Sequence, residues 1–181
     1  ATVCFNCITL FIDGDRTIIY GIGAIKGVGE SAIESIVDQR KRGGDYKDLF
    51  DFCNRVDLKK ANRRNLEAMI RAGAMDRLVD SEPDSSRATL MATLDKAIKS
   101  AEQFKRNAEL GQNDLFGTPS EANAEQSIEY SIVRPWPESK VLDGERETLG
   151  LYLTGHPIDQ YLLELYTTIE LDLELTGFDS H

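Results

Sequence analysis

The chain has 181 residues, of which 41% are hydrophobic and 29% are charged, a composition typical of a globular protein with one sizeable core or two small ones. It contains no run of about 18 apolar residues and no basic-then-apolar leader, which excludes a membrane-spanning helix and leads us to expect a cytoplasmic protein. Three cysteines do not make a disulfide framework. The pair Cys4 and Cys7 lacks two nearby partners for zinc, so we expect no metal.

The formal net charge of −10 is distributed unevenly along the chain. Residues 1–80 contain 13 Lys and Arg against 12 Asp and Glu, a net charge of +1. Residues 81–181 contain 8 against 19, a net charge of −11. This asymmetry indicates that the two halves have different roles.

Two β-rich stretches open the chain, at residues 8–12 and 17–20, with Asp13-Gly14-Asp15 between them. Branched and aromatic residues on either side of a glycine turn predict a β-hairpin. Two strands alone are marginally stable, so we expect residues 1–20 to lean on the helices or to continue from an upstream region.

A glycine-rich stretch from Gly21 to Gly29 follows, and it cannot form one long helix because each interior glycine costs about 1 kcal/mol. We predict a short helical turn near Ile22 and Ile25, a sharp turn over residues 27–29, and a second helix from Glu30 to about Lys41.

The two glycines of this turn suit a phosphate ligand. Gly27 and Gly29 leave the backbone N–H groups at the start of the second helix open to an anion. Val28 points into the core, and Lys26 stands beside the same surface. This pattern predicts a helix-hairpin-helix that grips a DNA phosphate through Lys26, Gly27, Val28 and Gly29 without reading a base. The alternative is a glycine corner between two helices with no ligand.

Further helices complete the amino-terminal half. Asp45 is a candidate N-cap for a helix carrying Leu49, Phe50, Phe52, Cys53 and Val56. Lys59, Lys60, Arg63 and Arg64 flank the start of a helix over residues 62–72. Gly73-Ala74-Met75 then resembles a second hairpin, with Met75 where a second glycine is expected. We interpret that hairpin as mainly a packing element of a paired, four-helix unit.

A long helix is predicted from Arg87 to Leu110. It carries an apolar seam at Leu90, Leu94, Ala97, Ala101, Phe104 and Ala108. Its other side carries Lys96, Lys99, Lys105 and Arg106, which we interpret as a solvated face.

A polar segment follows the long helix and contains Gln112-Asn113-Asp114-Leu115-Phe116. Leu115 and Phe116 form an apolar pair with no periodic apolar face nearby to bury them. Such a pair favours a linear peptide anchor for a partner's pocket. The alternative is a loop that tucks both side chains back onto its own domain.

The carboxyl-terminal part is predicted to contain a helix over residues 139–153, ended by Gly155-His156-Pro157. Pro157 suits the first turn of a new helix that runs through Leu165. His156 has no accompanying nucleophile or carboxylate constellation, so we interpret it as a turn residue.

The predicted fold class is mainly α: a tandem helix-hairpin-helix unit with a small N-terminal β-hairpin, followed by a long helix and further helices. Its parts are a β-hairpin at 1–20, the tandem unit at 21–80, the long helix at 81–110, a linker with the peptide motif at 111–137, and a helical segment at 138–181 that leads to a downstream domain.

Three stretches occur in an order that resembles one family. Residues 20–30, 66–76 and 147–157 are similar to the bacterial replicative DNA polymerase III alpha subunits, which are C-family polymerases. The resemblance runs from Ile18 to Tyr161, while residues 1–12 and 167–181 depart from it. It implies a fragment that lies downstream of the fingers and covers the tandem hairpins and the clamp-binding region.

The resemblance also implies partners and an activity. Gln112, Asp114, Leu115 and Phe116 match the family's internal motif for the sliding clamp, and the hairpin matches its site for non-specific duplex DNA. The intact parent would be a DNA-directed DNA polymerase, with a divalent metal such as Mg²⁺ in its palm domain. The fragment itself is expected to be inactive and free of cofactors, because the palm carboxylates lie upstream.

Two functions are therefore open. The first is a DNA-binding and clamp-tethering region of a replicative polymerase, working with the other holoenzyme subunits and without a membrane. The second is a structural or DNA-repair helix-hairpin-helix protein that does not bind a clamp.

Overall fold

A computed structural model describes residues 2–4, 11–12, 18–79, 83–109, 129–162 and 164–166. The described residues are mainly helical, which confirms the predicted fold class. Within these ranges, no helix combines the length and the apolar character that a membrane span requires.

A small sheet precedes the helices. Strand β1 is Thr2–Cys4, β2 is Phe11–Ile12 and β3 is Ile18–Gly21, in the order β1-β3-β2. The antiparallel pairing of β2 with β3 confirms the predicted hairpin. The parallel pairing of β1 with β3 was not predicted. The two strands are neighbours in the sheet, but β2 lies between them in the sequence, so no local turn indicates their pairing.

The glycine stretch forms the predicted turn-and-helix unit. A 3₁₀ turn at Ile22–Ala24 is followed by the hairpin and then by α1, Glu30–Gly43. α1 ends where Gly44 has a φ of 74°, and the Nη2 atom of Arg55 donates to the carbonyl oxygens of Gln39 and Gly44, both at 2.8 Å. The arginine of α2 thus binds the carboxyl-terminal end of α1.

The next helix, α2, spans Leu49–Arg55. Its N-cap is Asp48, whose Oδ1 atom accepts from the N–H of Asp51 at 2.8 Å. The prediction of Asp45 as the cap was therefore wrong: Asp48 stands three residues before the amide it caps, whereas the Asp45 carbonyl accepts from Arg55.

Helix α3 spans Arg63–Arg71 and begins with a reciprocal capping box between Asn62 and Asn65. A second, short 3₁₀ turn follows at Asp76–Leu78.

Helix α4 spans Pro83–Glu109 and packs chiefly against α2. Leu90, Leu94, Ala97 and Ala101 are buried along the predicted seam. Phe104 does not continue it, because its side chain is 63% exposed. The next turn instead contributes Lys105, whose Nζ atom donates to the carbonyl of Val56 at the end of α2, 2.9 Å away.

Helix α5 spans Glu138–Leu149 and packs against α3. It ends at Gly150, which adopts a left-handed conformation with a φ of 80° and donates to the carbonyl of Arg146. The predicted end at residues 155–157 was therefore wrong. Beyond it, a 3₁₀ turn at Asp159–Tyr161 and helical residues 164–166 occupy part of the predicted last helix.

One hydrophobic core joins the 3₁₀ turn, α1, α2, α3 and α4. Its largest fully buried side chains include Ile22, Ile36, Leu49, Phe52, Leu66, Met69, Ile70, Met75, Leu90 and Leu94. The apolar residues of α2 thus serve packing. The exposed turn between the first 3₁₀ segment and α1 is held on the surface of this core.

Candidate nucleic-acid interface

The first hairpin, residues 25–29, has the geometry that its sequence predicts. Gly27 reverses the chain with a φ of +88°, and Val28 is only 9% exposed and packs into the core. Lys26, Gly27 and Gly29 are all exposed. The structure therefore brings the four predicted residues together on one turn. Their contact with DNA stays a prediction.

Backbone donors are open at the start of α1. Gly29 is the N-cap and has no side chain to satisfy them, while its carbonyl accepts from Ala32 and Ile33. Within the described residues, no acceptor is assigned to the N–H groups of Glu30 and Ser31. These amides carry the positive end of the helix dipole, so an anion would be favoured beside them.

Space for an anion exists on the same side. A Cβ atom placed on Gly27 or on Gly29 would meet no atom within 4 Å. Lys26 adds a positive charge, with its Nζ atom close to Gly150 at the end of α5, and Glu30, exposed in the first turn of α1, adds a negative one. The carboxylate would reduce the attraction of this surface for a phosphate.

Two other helices support the hairpin from behind. The N–H of Lys26 donates to the carbonyl of Thr148 in the last turn of α5, 2.8 Å away. The Nδ2 atom of Asn65, on the first turn of α3, donates to the carbonyl of Gly27. Sequence reasoning found neither contact. The spacing of Asn62 and Asn65 could have revealed the capping box, but nothing local points from Asn65 to residue 27.

Basic residues gather near the start of α3. Arg63 is already paired, with its Nε atom 3.2 Å from both Glu67 and Asp95. Lys59, Lys60 and Arg64 are exposed, and no ion pair is recorded for them in the described ranges. These residues lie at or just before the amino-terminal end of α3, the end at which Asn65 contacts Gly27.

The second hairpin, residues 72–76, is closed from within. Gly73 has a φ of +75°, yet a Cβ atom there would lie 2.2 Å from the Nη2 atom of Arg87. The Arg87 guanidinium also pairs with Asp76 at 3.0 Å, and Met75 is fully buried. An internal cation thus fills this turn, consistent with its interpretation as a packing element.

A buried carboxylate completes this arrangement. Glu145 of α5 is fully buried, and its Oε1 atom lies 3.0 Å from the Nη1 atom of Arg87. Its Oε2 atom accepts from the N–H groups of Leu153 at 2.6 Å and Thr154 at 3.1 Å. Burial alone would lower the pKa of Arg87, but the hydrogen bonds and charges of Asp76 and Glu145 outweigh it and raise that pKa.

The predicted clamp motif, Gln112, Asp114, Leu115 and Phe116, lies outside the described residues. The chain on its carboxyl side is anchored by Tyr130. The Tyr130 hydroxyl accepts from the N–H of Leu49 at 3.1 Å and donates to the carbonyl of Leu78 at 3.2 Å. Residues 110–128 therefore connect α4 to a point that is bonded to α2.

His156 has a local hydrogen-bonding role. Its Nδ1 atom accepts from the N–H of Ile158 at 3.2 Å, and its own N–H donates to Asp159 at 2.7 Å. These bonds fit the interpretation of His156 as a turn residue. In the part of the chain that the structure describes, no group of three or more His, Cys, Asp or Glu is arranged to hold a metal ion.

Comparison with protein families finds that residues 3–90 match the model of the helix-hairpin-helix motif. This match covers both hairpins and the first residues of α4. It agrees with the two turns seen at Gly27 and Gly73.

Comparison with curated proteins finds relatives along most of the chain, among them several named DNA polymerase III subunit alpha. The Vibrio cholerae protein is 52% identical over 163 residues, which cover 89% of this chain and 14% of that protein. The Escherichia coli K12 protein is 52% identical over 154 residues, covering 85% and 13%. The Pseudomonas aeruginosa protein is 47% identical over 161 residues, covering 83% and 14%. The chain thus spans about one seventh of these relatives.

Proposed function

This chain is homologous to one segment of DNA polymerase III subunit alpha, and on that premise we propose that it grips duplex DNA and tethers a replicative polymerase to its sliding clamp. The homology confirms the resemblance that three sequence motifs indicated. The names of the relatives also favour a polymerase region over a DNA-repair protein.

The observation that carries the DNA-binding proposal is the open backbone of the first hairpin. A Cβ atom on Gly27 or Gly29 would meet no atom within 4 Å, and the amides of Glu30 and Ser31 have no assigned acceptor in the described residues. Backbone donors contact phosphate oxygens and carry no base information, so the binding would be independent of sequence. With about three phosphates neutralised, the logarithm of affinity would fall with the logarithm of salt concentration at a slope near −3.

Gly29→Val is the sharpest test of this grip. Gly29 has a φ of −77° and a Cβ atom there would meet no atom within 4 Å, so a side chain is not strained at this position, while valine would block a phosphate at a modest cost as the N-cap. Gly27 is a poorer probe, because its φ of +88° makes any side chain strained. We expect Gly29→Val to abolish binding to a fluorescein-labelled duplex and Lys26→Ala to weaken it. Lys96→Ala, on the exposed side of α4, is the matched control for the loss of one lysine charge.

Equal affinities for the Gly29→Val variant and the parent chain would refute the phosphate grip. A loss in the Lys96→Ala control equal to that in Lys26→Ala would show that only total charge matters.

The clamp-binding part of the proposal rests on the sequence of residues 112–116. Leu115 and Phe116 would fill an apolar pocket, each contributing roughly 1.5–3 kcal/mol on burial, and Gln112 would hydrogen-bond at the rim. Asp114 would add a polar contact. Ordering a peptide offsets part of this gain, so the expected affinity is about micromolar. DNA contacts nearby would raise the effective concentration of the clamp for the motif.

The test is titration of the chain with sliding clamp, repeated with both Leu115 and Phe116 changed to Ala. We expect at least a tenfold loss. Ile132→Ala is the matched control, because Ile132 is an apolar residue that is 89% exposed outside the motif. A double variant that binds as tightly as the parent chain would show that the motif is only a loop, and would return the choice to a helix-hairpin-helix protein without a clamp.

Polymerisation belongs, in this proposal, to the whole subunit working with the other holoenzyme subunits in the cytoplasm. Mg²⁺ would act in a palm domain of the whole subunit, where it would stabilise the negative charge of phosphoryl transfer. We expect the 181-residue chain by itself to incorporate no nucleotide on a primed template. Incorporation that copurifies with the chain through successive columns would contradict this division of roles.

A further inference from the structure

We infer that Asn65 is a positioning residue of the first hairpin, which holds the carbonyl of Gly27 away from the face that would receive a phosphate. The inference rests on the proposed DNA grip. It assigns the orientation of the hairpin backbone to Asn65, a residue on α3 rather than on the hairpin itself. Asn65 is 6% exposed, and its Nδ2 atom donates to the Gly27 carbonyl.

The peptide unit between Gly27 and Val28 is fixed at both ends. Asn65 holds its carbonyl, and its N–H, which belongs to Val28, donates to the carbonyl of Ile25 at 3.3 Å. A glycine peptide has few side-chain restraints of its own, so external bonds must set its orientation. An outward carbonyl would place partial negative charge against a phosphate, whereas the held orientation leaves the outer face to the donors of α1. Binding to a prepared site costs less ordering.

A helix-capping role alone does not account for this contact. Asn62 and Asn65 form a reciprocal box, in which the N–H of Asn62 donates to Asn65 at 2.9 Å and the N–H of Asn65 donates to Asn62 at 3.2 Å. Both residues therefore serve the cap equally. Only Asn65 has, in addition, the bond to Gly27, since Asn62 has no recorded contact with the hairpin in the described ranges. Asn62 is thus a matched control for the capping role.

The experiment compares Asn65→Ala with Asn62→Ala by fluorescence anisotropy, using a labelled 20-base-pair duplex at low salt and at a temperature where circular dichroism shows both folded. Both variants lose the box, and Asn65→Ala should melt at the lower temperature because it also loses the bond to Gly27. We expect Asn65→Ala to bind the duplex about tenfold more weakly than the parent chain. That loss corresponds to a binding-competent orientation of the Gly27–Val28 peptide in about one molecule in ten. Asn62→Ala should stay within about twofold of the parent chain. The salt slope should stay the same in both variants, because neither removes a positive charge that neutralises a phosphate.

A second pair keeps the test decisive where Asn65→Ala does not fold. Asn65→Asp and Asn62→Asp add the same charge three residues apart, and both keep an oxygen acceptor for the capping box. Asn65→Asp cannot donate to Gly27, so we expect it to bind at least fivefold more weakly than Asn62→Asp.

The outcomes separate the inference from the function on which it rests. If Lys26→Ala and Gly29→Val weaken binding while the Asn65 and Asn62 variants of each pair bind alike, the positioning role is overturned and the grip stands. If Lys26→Ala and Gly29→Val both bind like the parent chain, the grip itself is overturned, and the inference with it.

Discussion

Glu145→Gln removes the negative charge of the buried ion pair between Glu145 of α5 and Arg87 of α4, and it keeps the size of the side chain. The carboxylate is fully buried and accepts from three donors, the Arg87 guanidinium and the amides of Leu153 and Thr154. Gln cannot accept at both oxygen positions, so at least one donor loses its partner. Arg87, whose side chain is 3% exposed, keeps Asp76 as its remaining counter-ion.

The expected cost follows from these contacts. Removing one partner of a buried ion pair typically costs about 3–5 kcal/mol, and a hydrogen bond to a charged group contributes about 1.5–3 kcal/mol. Because the two contributions overlap at one carboxylate, we expect a loss of about 3–5 kcal/mol in the free energy of unfolding. For a chain of this length that is a fall of roughly 6–20 °C in Tm.

Urea unfolding measures this loss with two signals. Trp136 is the only tryptophan in the sequence and lies just before α5, where Lys140 stands 4.3 Å from its ring centroid. Its fluorescence reports on the α5 segment, and circular dichroism reports on all helices. We expect the fluorescence transition of the Glu145→Gln variant to precede the loss of helix.

The matched control is Glu147→Gln, two residues along the same helix. Glu147 is 64% exposed and pairs with Arg71 at 2.6 Å on the surface, so its loss should cost at most about 1 kcal/mol. A Glu145→Gln variant that loses less than about 1 kcal/mol, or no more than Glu147→Gln, would refute the reasoning.

Three further predictions concern the hairpins and the core. Glu30→Gln should strengthen duplex binding, measured by anisotropy, about two- to threefold, because it removes a negative charge that repels the phosphates. It should also lower the free energy of unfolding by about 0.3–1 kcal/mol, because Glu30 no longer interacts with the dipole of α1. Weaker duplex binding would contradict this prediction. Gly73→Ala should lower the free energy of unfolding in urea by about 2–4 kcal/mol, because the φ of +75° is strained for alanine and its Cβ atom would clash with Arg87. Gly29→Ala, the control, should change it by no more than about 0.5 kcal/mol. Equal losses in the two variants would contradict this prediction. Burial raises the pKa of Cys53 from 9.0 to about 12 and that of Tyr46 from 10.0 to about 12. The unfolded chain therefore releases these protons first, so stability is full below pH 9 and should fall from about pH 9 to 12; a Cys53→Ala variant whose Tm falls as steeply would exclude the thiol as a cause.

The first hairpin could be predicted because its requirements are local. A reversal with a positive φ favours glycine at residue 27, and an apolar residue between two glycines can only turn inward to be buried. The helices were predictable for the same reason, since their apolar residues recur at helical spacing. Boundaries were less certain where one signal occurs twice: Asp45 and Asp48 are equivalent in chemistry, and only the fold selects Asp48 as the cap of α2.

The supports of the candidate site could not be read from the sequence, because they join distant residues. Asn65 reaches Gly27 across 38 positions, and Arg87 reaches Glu145 across 58. Nothing in the sequence around Arg87 or Glu145 indicated that these two charged side chains would be buried. The end of α5 was different, since Gly150 after an arginine in the last turn is a known stop signal that the sequence did carry.

The bonds of Arg87, Glu145 and Tyr130 hold two parts of the chain together without the segment between them. Residues before position 110 and residues after position 128 are joined by a buried ion pair, by the anchored tyrosine hydroxyl and by the packing of α5 on α3. We therefore expect a chain cleaved once between those positions to remain one noncovalent complex, and the segment that carries Gln112 to Phe116 to tolerate changes in length while the hairpin keeps its support from α5.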